Sequence, residues 1–144
     1  MNVYLLTKNP FKLKAAEAIF SQYNINVLPI EEEYPEIQAD KSLDIAKYTA
    51  VNAAKDLDKP VIREDHSFYL NAIMVPGPYM SFFEKNIPVK DILKILKNFK
   101  NRTGYFEVGT VYADPEGHTL EYTFQLPVIL EKEEKIKNAQ GWSG

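Results

Sequence analysis

Two adjacent acids, Glu64 and Asp65, are the residues of this sequence around which a reactive site is most readily built. They directly follow an apolar pair, Val61 and Ile62, and aromatic and apolar residues resume at Phe68. A buried carboxylate without a partner is too costly for a protein core. We therefore expect both acids at the C-terminal edge of a strand, where open α/β sheets bind ligands and metals. A turn with two solvated acids is the alternative.

A short polar segment near the N-terminus has the form of an anion-binding loop. Residues 3–6 predict a buried strand, and Pro10 fits the first turn of the helix that follows. The free N–H groups at the start of this helix, with Lys12 beside them, would suit a phosphate group. In the alternative, Thr7 or Asn9 is only a helix cap and Lys12 is solvated. The glycines of a Walker loop are absent.

The elements that must position these residues alternate between strand and helix. Apolar side chains recur at helical spacing after Pro10, after Ser42 and after Pro88, and Ser42 or Asp40 can cap the second of these helices. Residues 26–30 predict an edge strand that contains Pro29. Residues 105–113 and 118–126 flank a turn and predict a hairpin, which residues 128–130 could extend.

Composition narrows the possible functions. The 144 residues are expected to form one domain, and the net charge of −3 lacks the basic field of a general nucleic-acid-binding protein. Cysteine is absent, so thiol chemistry and cysteine-based zinc sites are excluded. No apolar run approaches the ~18 residues of a membrane span, and the N-terminus lacks the pattern of a signal peptide. We expect a cytoplasmic protein without nucleic-acid or membrane partners.

Five motifs, in this order, resemble those of the Ham1 family, the inosine triphosphate or non-canonical purine nucleoside triphosphate pyrophosphatases. They are Thr7-x-Asn9-x-x-Lys12 after the first strand, Pro35-Glu36-Ile37-Gln38-Ala39-Asp40, Glu64-Asp65 after an apolar strand, Pro76-Gly77-Pro78-Tyr79, and Phe99 to Tyr105 leading into Ala113-Asp114-Pro115-Glu116-Gly117. The match runs in register from Met1 to about residue 125.

The resemblance implies an elongated α/β fold, with a long mixed sheet flanked by helices and two lobes around a central cleft. It implies Mg²⁺-dependent hydrolysis of a purine nucleoside triphosphate, such as that of inosine or xanthosine, to the monophosphate and pyrophosphate. It also implies a homodimer.

The resemblance assigns a role to each matching residue. Glu36 and Asp65 would hold Mg²⁺, whose preferred ligands are hard oxygen atoms. Asp65 would also act as the general base, with Glu64 in the same acidic cluster. Thr7, Asn9 and Lys12 would bind the phosphates, and Lys12 would stabilise charge at the reacting phosphorus. Lys47 would assist, since the family often carries a basic residue there.

Two departures from the family pattern set the alternative. His66-Ser67-Phe68 replaces the family's Ser/Thr-Gly-Leu-like residues after the acids, and His66 either acts as a new ligand or donor or restricts the cleft. Gly141-Trp142 matches the start of a segment that binds the base, so Trp142 is implied in substrate binding, but Ser143 stands where Asp is expected.

The family's later Lys, His and Arg have no counterpart, and we expect the C-terminal part of the domain to be missing or completed by a partner chain. Base discrimination depends on such polar groups. A non-catalytic nucleotide-binding or interaction protein on the same scaffold is therefore the alternative function.

Overall fold

The computed structural model describes residues 1–135, which form six strands and four α-helices. In chain order the elements are β1 (Asn2–Leu6), α1 (Pro10–Phe20), β2 (Asn26–Ile30), α2 (Ser42–Leu57), β3 (Val61–Leu70), β4 (Pro76–Gly77), α3 (Met80–Asn86), α4 (Val89–Leu96), β5 (Thr103–Ala113) and β6 (Thr119–Ile129). A short 3-10 turn, Ser21–Tyr23, follows α1. Within the described part of the chain, no helix is long and apolar enough to span a membrane.

All six strands belong to one mixed sheet with the order β2-β1-β3-β5-β6, and β4 pairs with β3. The β1 strand pairs in parallel with β2 and with β3, whereas β4 is antiparallel to β3. Strand β2 lies at the edge, as predicted from Pro29. The α/β class and the mixed sheet are thereby confirmed.

The chain divides into two compact units. Unit 1 comprises Met1–Asp65 and Val108–Thr123, and unit 2 comprises His66–Glu107 and Phe124–Gly144. Strands β3, β5 and β6 contribute residues to both units. The two units agree with the predicted two lobes, while the elongated shape, the central cleft and the single-domain assignment stay predictions.

Unit 1 has a separate core on each face of its strands. On one face, alanines of α2 pack against Val61 and Val111. Alanine has almost no side chain, so it lets a helix lie close to a sheet. On the other face, Leu13, Ala16 and Phe20 of α1 pack on the buried side chains Val3, Leu5, Val27 and Ile62. The helical spacing of apolar residues that predicted α1 therefore also identifies its inner face. Tyr23, the next apolar residue at that spacing, does not belong to this face, because it is 70% exposed.

The core of unit 2 is built from larger side chains. Phe68 and Leu70 of β3 pack with Ile92 and Leu96 of α4. The rings of Phe68 and Phe106 stack with centroids 4.6 Å apart. The predicted inner face of α4 is confirmed at Ile92 and Leu96.

Several local predictions need correction. Strand β3 runs on to Leu70, so Glu64 and Asp65 lie inside it and not at its C-terminal end. The strand continues because residues 67–70 are buried and pair in part with β4. Helix α2 begins after Lys41, which makes no side-chain capping bond, and Ser42 is a buried residue of the helix. Strand β4 lies within residues 75–79, where the prolines and glycine predict a stiff loop, and no helix was predicted at α3.

Candidate active site

The loop between β1 and α1 is held by its own polar side chains. The Thr7 hydroxyl accepts a hydrogen bond of 3.1 Å from the Asn9 N–H, and the Asn9 side chain accepts one of 2.9 Å from the Phe11 N–H. Pro10 is the first residue of α1. Asn9 is therefore the N-cap, as one of the two interpretations of this segment expected. The phosphate-binding role of Thr7 and Asn9 stays a prediction.

Strand β3 distributes its charged residues over two faces of the sheet. Successive side chains of a strand point to opposite faces. Ile62 packs on the α1 side and Val61 on the α2 side. By this alternation, Glu64 lies on the α1 side, whereas Arg63 and Asp65 lie on the α2 side. The two adjacent acids are thus directed to different faces of unit 1.

On the α1 side, Lys12 forms an ion pair with Glu64. Their nearest charged atoms, Nζ and Oε1, are 3.1 Å apart, and the side chains are 26% and 24% exposed. Two residues predicted to take part in catalysis are therefore in direct contact. Because both are only partly exposed, solvent screens their attraction less than that of a surface pair.

On the α2 side, Arg63 forms an ion pair with Glu36, the other predicted metal ligand besides Asp65. The same guanidinium donates from Nη1 to the Leu6 carbonyl oxygen over 3.0 Å. The β1–β3 ladder ends nearby, since the last paired residues are Leu5 and Ile62. Arg63 therefore lies where β1 stops and β3 continues.

A cavity of about 340 Å³ opens on this side of unit 1. Thr7, Glu36, Arg63 and Thr49 contribute to its wall. Tyr34 also lines it, and burial, followed by the charges of Asp56 and Glu32, raises the pKa of its phenol. The phenol consequently keeps its proton and can donate a hydrogen bond into the cavity.

Thr49 and Arg63 were not among the site residues predicted from the sequence. Thr49 follows Ala46 by three positions and precedes Ala50, so it lies on the buried stripe of α2. A hydroxyl within an alanine stripe was the available signal. For Arg63, the signal was a charge inserted between Ile62 and the two acids.

Lys47 does not reach this cavity. It lies two positions before Thr49 on α2, and helix residues two apart do not face each other. Its Nζ contacts Glu121 Oε1 at 2.7 Å, and hydrogen bonds from Lys47 and Thr119 lower the pKa of the Glu121 carboxyl. Trp142 lies outside the described residues.

The acids of unit 1 can hold a divalent metal if the substrate and water supply its other ligands. Within residues 1–135, no group of three or more histidines and acids could hold a metal by itself. Magnesium, however, needs only one or two carboxylates when substrate phosphates and water supply its other ligands. Glu36 and Asp65 provide two carboxylates on the α2 side. The donor set fits a metal that arrives with a polyphosphate.

Neither histidine contributes to such a group. His66 is exposed, and the His118 ring contacts Asp114 at 2.9 Å in the turn before β6. His118 is therefore a polar residue of the hairpin formed by β5 and β6.

Comparison with known proteins identifies the same family as the five motifs. The Ham1 family model matches residues 3–142. A dITP/XTP pyrophosphatase of Methanopyrus kandleri is 32% identical over 99% of this chain and 76% of its own length. One from Thermococcus kodakarensis is 34% identical over 82% of this chain, which spans 65% of that relative. The solved Staphylococcus aureus Ham1 protein has the same fold, with a TM-score of 0.84 and 19% identity over 99% of this chain and 78% of its own.

Proposed function

Because the chain belongs to the Ham1 family, we propose that it hydrolyses non-canonical purine nucleoside triphosphates, such as those of inosine, xanthosine and deoxyinosine, to the monophosphate and pyrophosphate. The observation that carries this proposal is the similarity, over nearly the whole chain, to relatives named dITP/XTP pyrophosphatase. Three of the five motifs lie in unit 1, Pro76-Gly77-Pro78-Tyr79 lies in unit 2, and the fifth runs from unit 2 into unit 1, which is compatible with it.

The proposed reaction begins with binding of the triphosphate beside the loop between β1 and α1. Thr7, Asn9 and Lys12 hold the phosphates, and Lys12 offsets the negative charge that grows at the reacting phosphorus. The Lys12 ammonium group then interacts both with the substrate and with Glu64, whose Oε1 lies 3.1 Å from Nζ. Glu64 in this scheme orients Lys12, although sequence analysis also counted it among the catalytic residues.

Asp65 acts as the general base that takes a proton from the attacking water. Asp65 lies on the α2 side, with Arg63 and the cavity, and Thr7 of the loop between β1 and α1 lines the same cavity, so the scheme puts the reacting phosphorus at this loop, within reach of both Lys12 and Asp65. Nucleotide pyrophosphatases of this kind generally need a divalent metal, and we propose Mg²⁺, held by Glu36 and Asp65. When bound, the metal neutralises phosphate oxygens and favours deprotonation of the attacking water.

Two further substrate contacts belong to the proposal. Lys47 assists with the substrate only if it leaves Glu121, because the two are paired at 2.7 Å. Trp142 takes part in substrate binding. Support for both comes from their match to family positions.

A non-catalytic nucleotide-binding protein is the second candidate. The observation that favours it is the engagement of Glu36 by Arg63 and of Glu64 by Lys12. An acid held by a basic side chain is less available to a metal than a solvated one.

Pyrophosphate release from a panel of nucleoside triphosphates, with Mg²⁺ and with EDTA, tests the proposal. The panel contains the triphosphates of inosine, xanthosine, adenosine, guanosine and deoxyuridine. We expect Mg²⁺-dependent release that is strongest with inosine or xanthosine triphosphate. Equal release from all would indicate an active phosphate site without base selection. No release by folded protein, together with retained nucleotide binding, would establish the second candidate instead.

We also propose a cytoplasmic homodimer without nucleic-acid partners. The net charge of −3 supports the absence of nucleic acid. In the part of β6 that belongs to unit 2, Phe124, Leu126 and Ile129 are 64%, 52% and 79% exposed, which supports a partner surface. Light scattering at micromolar concentration would give the mass of the assembly, and a monomer would refute the homodimer.

A further inference from the structure

The cavity of unit 1 contains two polar groups that the proposed mechanism leaves without a task. These are the Thr49 hydroxyl and the Arg63 guanidinium, and both residues line the cavity beside Thr7. Its volume of about 340 Å³ far exceeds the ~30 Å³ share of a water molecule. The cavity can therefore admit part of a ligand.

Thr49 presents a buried hydroxyl. The residue is 1% exposed, and its Oγ1 has no hydrogen-bond partner among the described residues. Most buried polar atoms in proteins are hydrogen-bonded, so an exception that lines a cavity indicates a ligand or water in that position. Thr49 can donate to a ligand oxygen.

Arg63 has a hydrogen-bond donor that is available for a ligand. Its Nη1 and Nη2 bond to the Leu6 carbonyl and to Glu36, while Nε is buried and has no partner in residues 1–135. Its side chain is 19% exposed, whereas that of Glu36 is 53% exposed. Arg63 is consequently the fixed member of the pair and Glu36 the member that can turn towards solvent.

A guanidinium whose side chain is only 19% exposed is destabilised when it has no negative partner. If Glu36 turns to a divalent metal, Arg63 loses its counter-ion. A phosphate oxygen that enters the cavity would replace it, because guanidinium and phosphate form strong charge-assisted hydrogen bonds. Exchange of partners leaves every charge paired before and after binding.

We propose that Arg63, with the Thr49 hydroxyl, forms a phosphate subsite, and that Arg63 exchanges Glu36 for a substrate phosphate when Glu36 takes the metal. The ligand class is a condensed phosphate, either pyrophosphate or the triphosphate of a nucleotide. The inference rests on the proposed function and extends it to two residues that the five motifs do not include. Arg63 is then a substrate-binding residue, and in the free protein it also restrains the metal ligand Glu36.

Binding of inorganic pyrophosphate and of Mn²⁺, measured by calorimetry, tests this without any turnover. With Mn²⁺ present, we expect Arg63→Gln to weaken pyrophosphate binding on the order of ten- to a hundred-fold, as for loss of a charged hydrogen bond. Thr49→Val keeps the shape and removes the hydroxyl, so we expect a loss of about five-fold. Lys94→Gln, which breaks the exposed Lys94–Asp91 pair in unit 2, is the matched control and should change neither affinity.

Two measurements separate exchange from a merely structural role. Without pyrophosphate, Arg63→Gln should raise the affinity for Mn²⁺ several-fold, because Glu36 is released. Without metal, Glu36→Gln should raise the affinity for pyrophosphate several-fold, because Arg63 is released. Both variants are first compared with the unmodified protein by circular dichroism and thermal unfolding. Glu36→Gln tests the exchange even if Arg63→Gln does not fold.

Unchanged pyrophosphate binding in folded Arg63→Gln would overturn the subsite. Unchanged Mn²⁺ affinity in folded Arg63→Gln, or unchanged pyrophosphate affinity in Glu36→Gln, would overturn the exchange. Failure of the proposed function is distinguishable, since it appears as absence of pyrophosphate release from the nucleotide panel while the affinities for Mn²⁺ and pyrophosphate still respond to Arg63→Gln.

Discussion

Unit 1 and unit 2 draw on the same strands yet differ in what their side chains can do. In unit 1, acids outnumber lysines and arginines, and all the predicted site residues except Trp142 are found there. In unit 2, lysines and arginines outnumber acids, and a cavity of about 440 Å³ is lined largely by apolar side chains such as Phe68, Ile92 and Phe106. We therefore expect unit 1 to carry the catalytic residues, and unit 2 to contribute through the packing of apolar side chains.

The hydrophobic cores of the two units also differ, in the size of the side chains that fill them. The α2 stripe of unit 1 consists mainly of alanine, and β5 approaches it so closely that a Cβ at Gly109 would lie 2.6 Å from the Leu43 nitrogen. Unit 2 fills its interior with stacked phenylalanines and with Leu96, which is 1% exposed. In unit 1 the buried Thr49 hydroxyl lines a cavity, whereas among the described residues of unit 2 no buried side-chain polar atom lacks a hydrogen-bond partner.

The largest effect is expected for Asp65→Asn. Removal of the general base should lower kcat for pyrophosphate release on the order of 10²- to 10⁴-fold with little change in the thermal midpoint. Asp91→Asn in unit 2 is the control and should keep full activity, because Asp91 lies on the surface and pairs only with Lys94 among the described residues. Unchanged hydrolysis in Asp65→Asn would show that the catalytic assignment is wrong.

Leu96→Ala should destabilise unit 2 without changing the rate of the catalytic step. Truncation of a side chain that is 1% exposed leaves a cavity and should lower the free energy of unfolding by about 2–5 kcal/mol in urea titrations. Leu120→Ala, at a position that is 56% exposed, should change it by less than about 0.5 kcal/mol. At a temperature where Leu96→Ala is folded, kcat should equal that of the unmodified protein. A large loss of kcat there would contradict the division of roles.

Alanine substitutions at two tightly packed glycines, one in each unit, introduce a steric clash of similar size and so allow the two units to be compared. A Cβ at Gly109 meets the α2 backbone at 2.6 Å, and a Cβ at Gly104 in unit 2 meets the Tyr69 carbonyl oxygen at 2.6 Å. Each substitution should cost about 1–3 kcal/mol of unfolding free energy, because the backbone must move. Only Gly109→Ala should also lower kcat/KM, since it displaces the start of the helix that carries Thr49. Equal losses of kcat/KM in both variants would remove the distinction.

The smallest effect concerns Glu121, which Lys47 contacts in unit 1. The hydrogen bond from Lys47 lowers the pKa of Glu121 below its ordinary value of 4.5, so the associated stability is present above about pH 4.5 and is lost as the pH falls through the lowered pKa. In an NMR titration, Lys47→Gln should move the pKa of Glu121 back towards 4.5, while Lys55→Gln should not move it. An unmoved titration in Lys47→Gln would show that Lys47 is free to reach a substrate.

Much of the fold follows from local sequence pattern. Helix α1 is predicted by Pro10 and by Leu13, Ala16 and Phe20, since a helical repeat of apolar residues needs no knowledge of the rest of the chain. The hairpin of β5 and β6 is similarly predicted by its turn. Strand β4 escaped prediction because Val75 to Tyr79 is rich in proline and glycine, and its pairing with β3 depends on residues distant in the sequence.

The family and the acids on which a reaction could depend can be identified from residue type and order. The side chains that these acids contact depend on the three-dimensional fold. Alternation along β3 directs Glu64 to Lys12 and Arg63 to Glu36, and the end of β1 opens the cavity beside Thr49. Ion pairs form between residues 27 and 52 positions apart, as for Arg63 with Glu36 and Glu64 with Lys12. Such partners are chosen by the packing of helices on opposite faces of a sheet, which no local pattern specifies.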